Sequence, residues 1–214
     1  MAAFACCPAL PAHAQTEVPG NWPLKPAGLG TGDEFRLLLM ARNPMKATST
    51  DIADYDAFVQ EVIARIGHAH IREYASNFKV LGSTATVDGR DHTGTRGADG
   101  VPTYWLNGPI VATSYSDLFD GAWPNKSEAT LQDGVPTTEA RKQQVICTGS
   151  TMHGEATTEP LGADTCTATT IATTAALGWL SHPKTRRARY LALSDVFKVG
   201  DFTDATVPTI TGVE

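Results

Sequence analysis

The segment Lys184-Thr185-Arg186-Arg187-Ala188-Arg189 is the one dense run of positive charge in the chain. Placed on a loop before a strand, Lys184, Arg186, Arg187 and Arg189 can meet the sulfate or phosphate groups of a polyanion. Guanidinium groups match such oxyanions with paired, charge-assisted hydrogen bonds. The plainer reading is a solvated loop that keeps a neighbouring strand edge from pairing with another chain. A second candidate is DGRDHTGTRGADG, Asp88–Gly100. Its Asp88, Asp91 and Asp99, with Thr93 and Thr95, offer the oxygen ligands that Ca²⁺ takes. They lack the spacing of an EF-hand loop, so a hydrogen-bonded polar loop, with Arg90 paired locally, is the competing reading. A third is TGSTMHGE, which puts Ser150, His153 and Glu155 close together in sequence. Hydrolysis needs nucleophile and base to converge from a positioned scaffold, and residue types within one loop do not guarantee that. Neither G-x-S-x-G nor H-E-x-x-H is present. His68 and His70 form H-x-H; on a strand they would share a face and hold a metal, but at a helix end they diverge.

These candidates sit in a chain of 214 residues with 42% hydrophobic and 19% charged residues, the balance of one globular domain. Lys and Arg total 17 against 23 acids, a net charge of −6, which argues against nucleic acid or an anionic membrane as the main partner. The start, MAAFACCPALPAHAQ, has a short apolar run and an A-x-A site at Ala12-His13-Ala14. It reads as the remnant of a secretory signal peptide lacking its basic region, with the mature chain expected from near Gln15. Nothing elsewhere is long and apolar enough to span a membrane. Cleavage would remove Cys6 and Cys7 and leave Cys147 and Cys166. In an oxidising compartment these are a disulfide candidate that closes a loop of about 20 residues and stabilises by roughly 3 kcal/mol. Two buried free thiols are the alternative. Without C-x-x-C or clustered His, zinc is not expected.

The elements that must position these residues read as follows. Residues 15–33 are rich in Pro and Gly and predict an extended leader; Gly28–Gly32 has the wrong spacing for a dinucleotide loop. Phe35–Met40 (FRLLLM) predicts a buried strand. Thr48, Ser49 and Thr50 offer cap hydroxyls, and Asp51 and Asp54 place acids at a helix N-terminus. From Ile52 to Ile66 the apolar residues recur at steps of three and four, and Gly67 ends the helix. A short helical piece over His70–Ala75 and a strand over Phe78–Ser83 follow. The stretch PTYWLNGPIVATSYSDLFDGAWPN (Pro102–Asn125) holds two of four tryptophans and no basic residue. It predicts strands at Tyr104–Leu106 and Ile110–Ala112 around the Asn107-Gly108 turn, then a short helix capped by Ser114 or Ser116. Residues 124–143 are polar and predict a surface excursion. Val145–Cys147 and Tyr190–Phe197 are the later strands. Short strands with one clear helix indicate an α+β domain.

Taken in order, these elements resemble the endostatin domain of collagens, a variant of the C-type-lectin-like fold. DYDAFVQEVIARIGHAHIREYASNFKVLGSTA is similar to the family's long helix, its following turn and the next strand. GVPTYWLNGPIVATSYSDLFDGAW is similar to the family's central core segment. ICTGS falls where the family has a Trp-His-Gly-Ser strand end, and YLALSDVF resembles its last core strand. The departures are informative. Cys147 replaces a tryptophan, and Leu193 and Ser194 stand where a cysteine is expected. Cys166 falls near a family cysteine whose usual partner is then missing, so a switched bridge from Cys147 to Cys166 accounts for both changes. The lectin calcium signature is absent, and calcium-mediated sugar binding is not implied.

The resemblance implies an α+β, largely antiparallel sheet with one long N-terminal helix and long loops. It covers residues 34–200, after a signal remnant (1–14) and a leader (15–33), with a tail at 201–214. It implies a secreted, periplasmic or cell-surface binding module without catalysis or cofactor. The partner would be an extracellular protein or glycan, with the arginines of the 184–189 segment meeting sulfated chains; nucleic acid is not expected and the chain does not span a membrane. The rival expectations are a secreted hydrolase and a structural envelope component.

Overall fold

The run Phe35–Met40 becomes a central strand because it finds a partner along both edges and a core on both faces. The computed structural model describes residues 15–97, 99–123, 125, 128–136, 145–170 and 180–203. Strands β1 (Gln15–Val18), β2 (Glu34–Met40) and β3 (Met45–Lys46) precede helix α1 (Ile52–Ile66). A 3-10 helix (Ala69–Asn77) leads into β4 (Phe78–Val80), and the one-turn helix α2 (Gly89–His92) precedes β5 (Thr103–Trp105) and β6 (Ile110–Ala112). After α3 (Tyr115–Leu118) come β7 (Ile146–Cys147), β8 (Thr165–Thr169), β9 (Leu180–Pro183), β10 (Arg187–Ala188), β11 (Leu191–Ser194) and β12 (Val196–Val199).

Along one edge β2 runs parallel to β5, with Leu38 opposite Trp105; along the other it is antiparallel to β11 and β12, with Leu38 opposite Leu193 and Phe35 opposite Phe197. β4 and β1 extend that second edge, and β6 lies beyond β5, giving a mixed, mostly antiparallel seven-stranded sheet. Alternation along β2 sends Phe35, Leu37 and Leu39 to one face and Leu38 and Met40 to the other. The first face packs under α1 with Phe78, Val80 and Phe197; the second packs against Trp105, Leu118, Trp123 and Leu131. Two buried faces explain why the strand reads as a continuous apolar run and not as an alternating one.

Helix α1 forms where its periodicity predicts. Asp51 caps it, accepting a bond from the Ala53 amide at 3.0 Å, and Tyr55, Val59, Val62 and Ile63 are buried along its inner stripe. Each such side chain contributes roughly 1.5–3 kcal/mol on burial. At the other end the Gly67 amide bonds to the Ile63 carbonyl, and a Cβ there would come within 2.3 Å of that oxygen. The helix has 15 residues and follows three strands, so among the described residues there is no long N-terminal helix.

The PTYWLNG…GAW stretch is core. Trp105 is fully buried, Trp123 nearly so, and their rings meet edge to face at 6.0 Å. Each indole N–H has a backbone acceptor at 2.8 Å, Asn125 O for Trp105 and Leu118 O for Trp123, which makes burial of these rings affordable. Ser114 caps α3 through the Asp117 amide.

The outer segments depart from expectation. The leader is part of the domain: β1 pairs with β12, and Trp22 packs against Phe35 and Phe197. Residues 200–203 join it, through Gly200 N–H to Val18 O and Gly20 N–H to Phe202 O. The surface excursion expected at 124–143 is also corrected over 129–132, which is buried and bonded to β2 through Met40 N–H to Thr130 O. Its isolated Ala129 and Leu131 are too few to announce a core element. β4 stops at Val80 because the chain changes partner, the Ser83 amide bonding to Thr148 O at 2.7 Å. Residues 1–14, where a signal remnant is expected, and residues 137–144 and 204–214 lie outside the described residues.

A second sheet, β7-β8-β9, carries the disulfide between Cys147 and Cys166, both fully buried. The short β10–β3 ladder joins the end of the basic segment to the chain just before α1.

Candidate functional site

The basic segment is divided by the fold. The turn after β9 is held by Arg186 N–H to Pro183 O and Lys184 N–H to Asp164 O, both at 3.0 Å. Lys184 Nζ also meets the Asp164 carboxylate at 2.7 Å, which holds that carboxyl below its usual range. Arg186 and Arg187 point to solvent. Ala188 is buried and Arg189 turns inward, 7% exposed, donating to Ala41 O at 3.2 Å. Arg189 is therefore a strut between the end of β2 and the second sheet, while Lys184, Arg186 and Arg187 remain on the surface.

The ladder supplies a cation that no reading of the 184–189 segment could find. Arg187 is the direct cross-strand partner of Lys46, and both side chains are exposed. Among the described residues neither forms an ion pair. Like charges directly opposite one another on a ladder repel. Lys46 and Arg187 rim an open groove of about 680 Å³. Its other walls include Met45, Ser49, Asp54 and the half-buried ring of Phe58. Phe58 is braced by the fully buried Tyr190, ring centroids 6.0 Å apart and nearly perpendicular. Asp54 lies in the first turn of α1, where the helix dipole favours its charge, and accepts from Ser49 Oγ at 2.6 Å.

The Asp88–Gly100 loop closes on itself. Asp88 accepts from the Ala156 amide at 2.8 Å, and Arg96 bridges Asp88 and Asp91. The two-pronged bond from Arg96 holds the Asp91 carboxyl below its usual value. The guanidinium thus occupies the position between two carboxylates that a cation would take. Asp99 is exposed. Thr93 and Thr95 are buried; the Thr93 hydroxyl donates to the Gly89 carbonyl at 2.8 Å and accepts from the Thr95 hydroxyl at 2.8 Å. Arg90 pairs with Glu155. Among the described residues no three His, Cys, Asp or Glu side chains converge as metal ligands.

Ser150, His153 and Glu155 are not assembled into a triad. The buried Ser150 hydroxyl pairs with Ser83 Oγ at 2.7 Å and with Thr148 O, Glu155 is held by Arg90, and His153 is exposed. His68 and His70 lie with ring centroids 5.4 Å apart at the start of the 3-10 helix, where His68 Nδ1 accepts from the His70 amide. A His–carboxylate pair that sequence reading missed, His92 Nε2 with Asp56 at 2.9 Å, ties α2 to α1, and Asp56 also accepts from the Val80 amide. Its residues are 36 positions apart with no motif around either. Comparison with protein-family models and with curated proteins finds no match to this chain.

Proposed function

We propose that the chain is an exported, non-catalytic binding module of the endostatin-like, C-type-lectin-like kind, which recognises the anionic groups of an extracellular protein or glycan. The observation that carries this reading is the exposed Lys46–Arg187 ladder pair at the rim of a groove, without an ion-pair partner among the described residues, with Arg186 close by in sequence and also exposed. An anionic group seated between Lys46 and Arg187 removes their repulsion and gains charge-assisted bonds. The Cys147–Cys166 bridge supports an oxidising location such as the periplasm or cell surface. Among the described residues no helix is long and apolar enough to cross a membrane. A hydrolase has less support, since the serine, histidine and carboxylates that would carry it have other partners or face solvent separately.

The test is retention on an immobilised polyanion across a salt gradient. The native chain is expected to elute later than the triple variant Lys46→Gln, Arg186→Gln, Arg187→Gln, and earlier as salt rises. Equal elution of the two proteins, or retention indifferent to salt, overturns the reading.

A further inference from the structure

The groove beside the ladder pair carries more information than its positive rim. Lys46 and Arg187 share the lining of this groove with the Asp54 carboxylate, Ser49 and an aromatic ring, Phe58. Its volume of about 680 Å³ is in the range of small-ligand sites. A strip built for a densely charged chain would have cations throughout. Here a carboxylate shares the groove with the cations, so a second anionic group on the ligand would meet repulsion at Asp54. The same carboxylate, with the Ser49 hydroxyl, suits ligand hydroxyls, which donate to one and exchange hydrogen bonds with the other. Phe58 offers an apolar plate to the C–H face of a saccharide ring, and its bracing against Tyr190 holds that plate in place. At the rim, the planar fork of Arg187 matches the planar geometry of a carboxylate in a bidentate pair.

We propose that this groove is a subsite for a uronic acid unit of a glycan. The carboxylate lies between Lys46 and Arg187, the ring rests on Phe58, and the hydroxyls meet Asp54 and Ser49. This rests on the reading of the chain as an anion-recognising binding module, and narrows it to one carboxylate per sugar in place of clustered sulfates.

Calorimetric titration of the full chain with four probes tests it: an oligogalacturonate, its methyl ester, a heparin-type sulfated oligosaccharide and a neutral oligosaccharide. The oligogalacturonate is expected to bind, with at least tenfold loss on methyl esterification, in Arg187→Gln and in Phe58→Ala. Phe58→Leu, which keeps apolar volume under Tyr190 but removes the ring, should show the same loss while retaining the native circular dichroism spectrum. Asp54→Asn should weaken the uronate and strengthen the sulfated probe. If the sulfated probe binds and the uronate does not, or if Phe58→Leu binds the uronate as well as the native chain, the uronate subsite is wrong while the wider reading stands. If no anionic probe binds, both fall together.

Discussion

The rings of Tyr55 and Tyr190 pack 5.3 Å apart, inclined at 48°, where α1 lies against the last part of the sheet. Tyr55 donates its hydroxyl to Ser49 O at 2.8 Å, whereas the buried Tyr190 hydroxyl has no partner among the described residues. Phe58 leans on the same Tyr190 ring, so this aromatic group joins the core to the lining of the groove.

That pair predicts a loss of stability in alkali. Burial pushes the Tyr55 hydroxyl up to about 12, and burial pushes Tyr190 up as well. A raised folded value means that the unfolded chain loses its tyrosine protons first. Stability is therefore complete below about pH 10 and falls as pH rises from there through about 12 and above. Urea unfolding between pH 8 and 12 measures it. Tyr190→Phe should shrink the alkaline loss and raise stability at pH 7 by about 1 kcal/mol, since it removes an unsatisfied buried hydroxyl.

Acid should destabilise the fold through two histidines. Burial, then the neighbouring His70 and Arg72, lowers the His68 value; burial, then Arg186, lowers that of His182. The unfolded chain then takes up protons first, so stability present above about pH 6.5 declines as pH falls through 6.5 and on through the lower folded values. His68→Gln combined with His182→Gln should flatten the urea midpoint between pH 7 and 5.

The Cys147–Cys166 bridge closes a loop with a sequence separation of 19, and both cysteines are fully buried. A reductant in native buffer should leave it intact, because reduction requires opening of the core. The double variant Cys147→Ala, Cys166→Ala should lose about 3 kcal/mol, roughly 6–12 °C in Tm, read by thermal melting.

Gly149 precedes Ser150 at φ +62°, and a Cβ there would lie 2.4 Å from both Leu161 N and Ser83 O. Gly149→Ala should cost about 2–4 kcal/mol from strain and overlap together. Urea unfolding at pH 7 reads this directly.

Calcium should have little to bind in the Asp88–Gly100 loop while Arg96 spans Asp88 and Asp91. Millimolar calcium chloride is expected to leave Tm unchanged, since a ligand stabilises only by binding the folded state. A rise in Tm with calcium for the native chain would show that a cation displaces the guanidinium.

Local pattern was enough for the elements with a strong period or a strong turn. The stripe of α1, the apolar run of β2, the Asn107-Gly108 hairpin and the burial of Trp105 and Trp123 were all legible, because neighbours in sequence suffice to define an amphipathic face or a tight turn. With Cys6 and Cys7 expected to be cleaved away, Cys147 and Cys166 stood as the candidate pair, and the structure joins them. Tertiary structure decided the rest. Leu131 and Ala129 become core only because Met40 reaches them, and Gln15–Val18 becomes strand only because β12 offers an edge. The basic segment looked uniform as a string, yet Arg189 is drawn inward while Arg187 meets Lys46 across a two-residue ladder. Which charges face each other across a groove depends on long-range register, and register is set by how both faces of the sheet pack, not by residues near either charge.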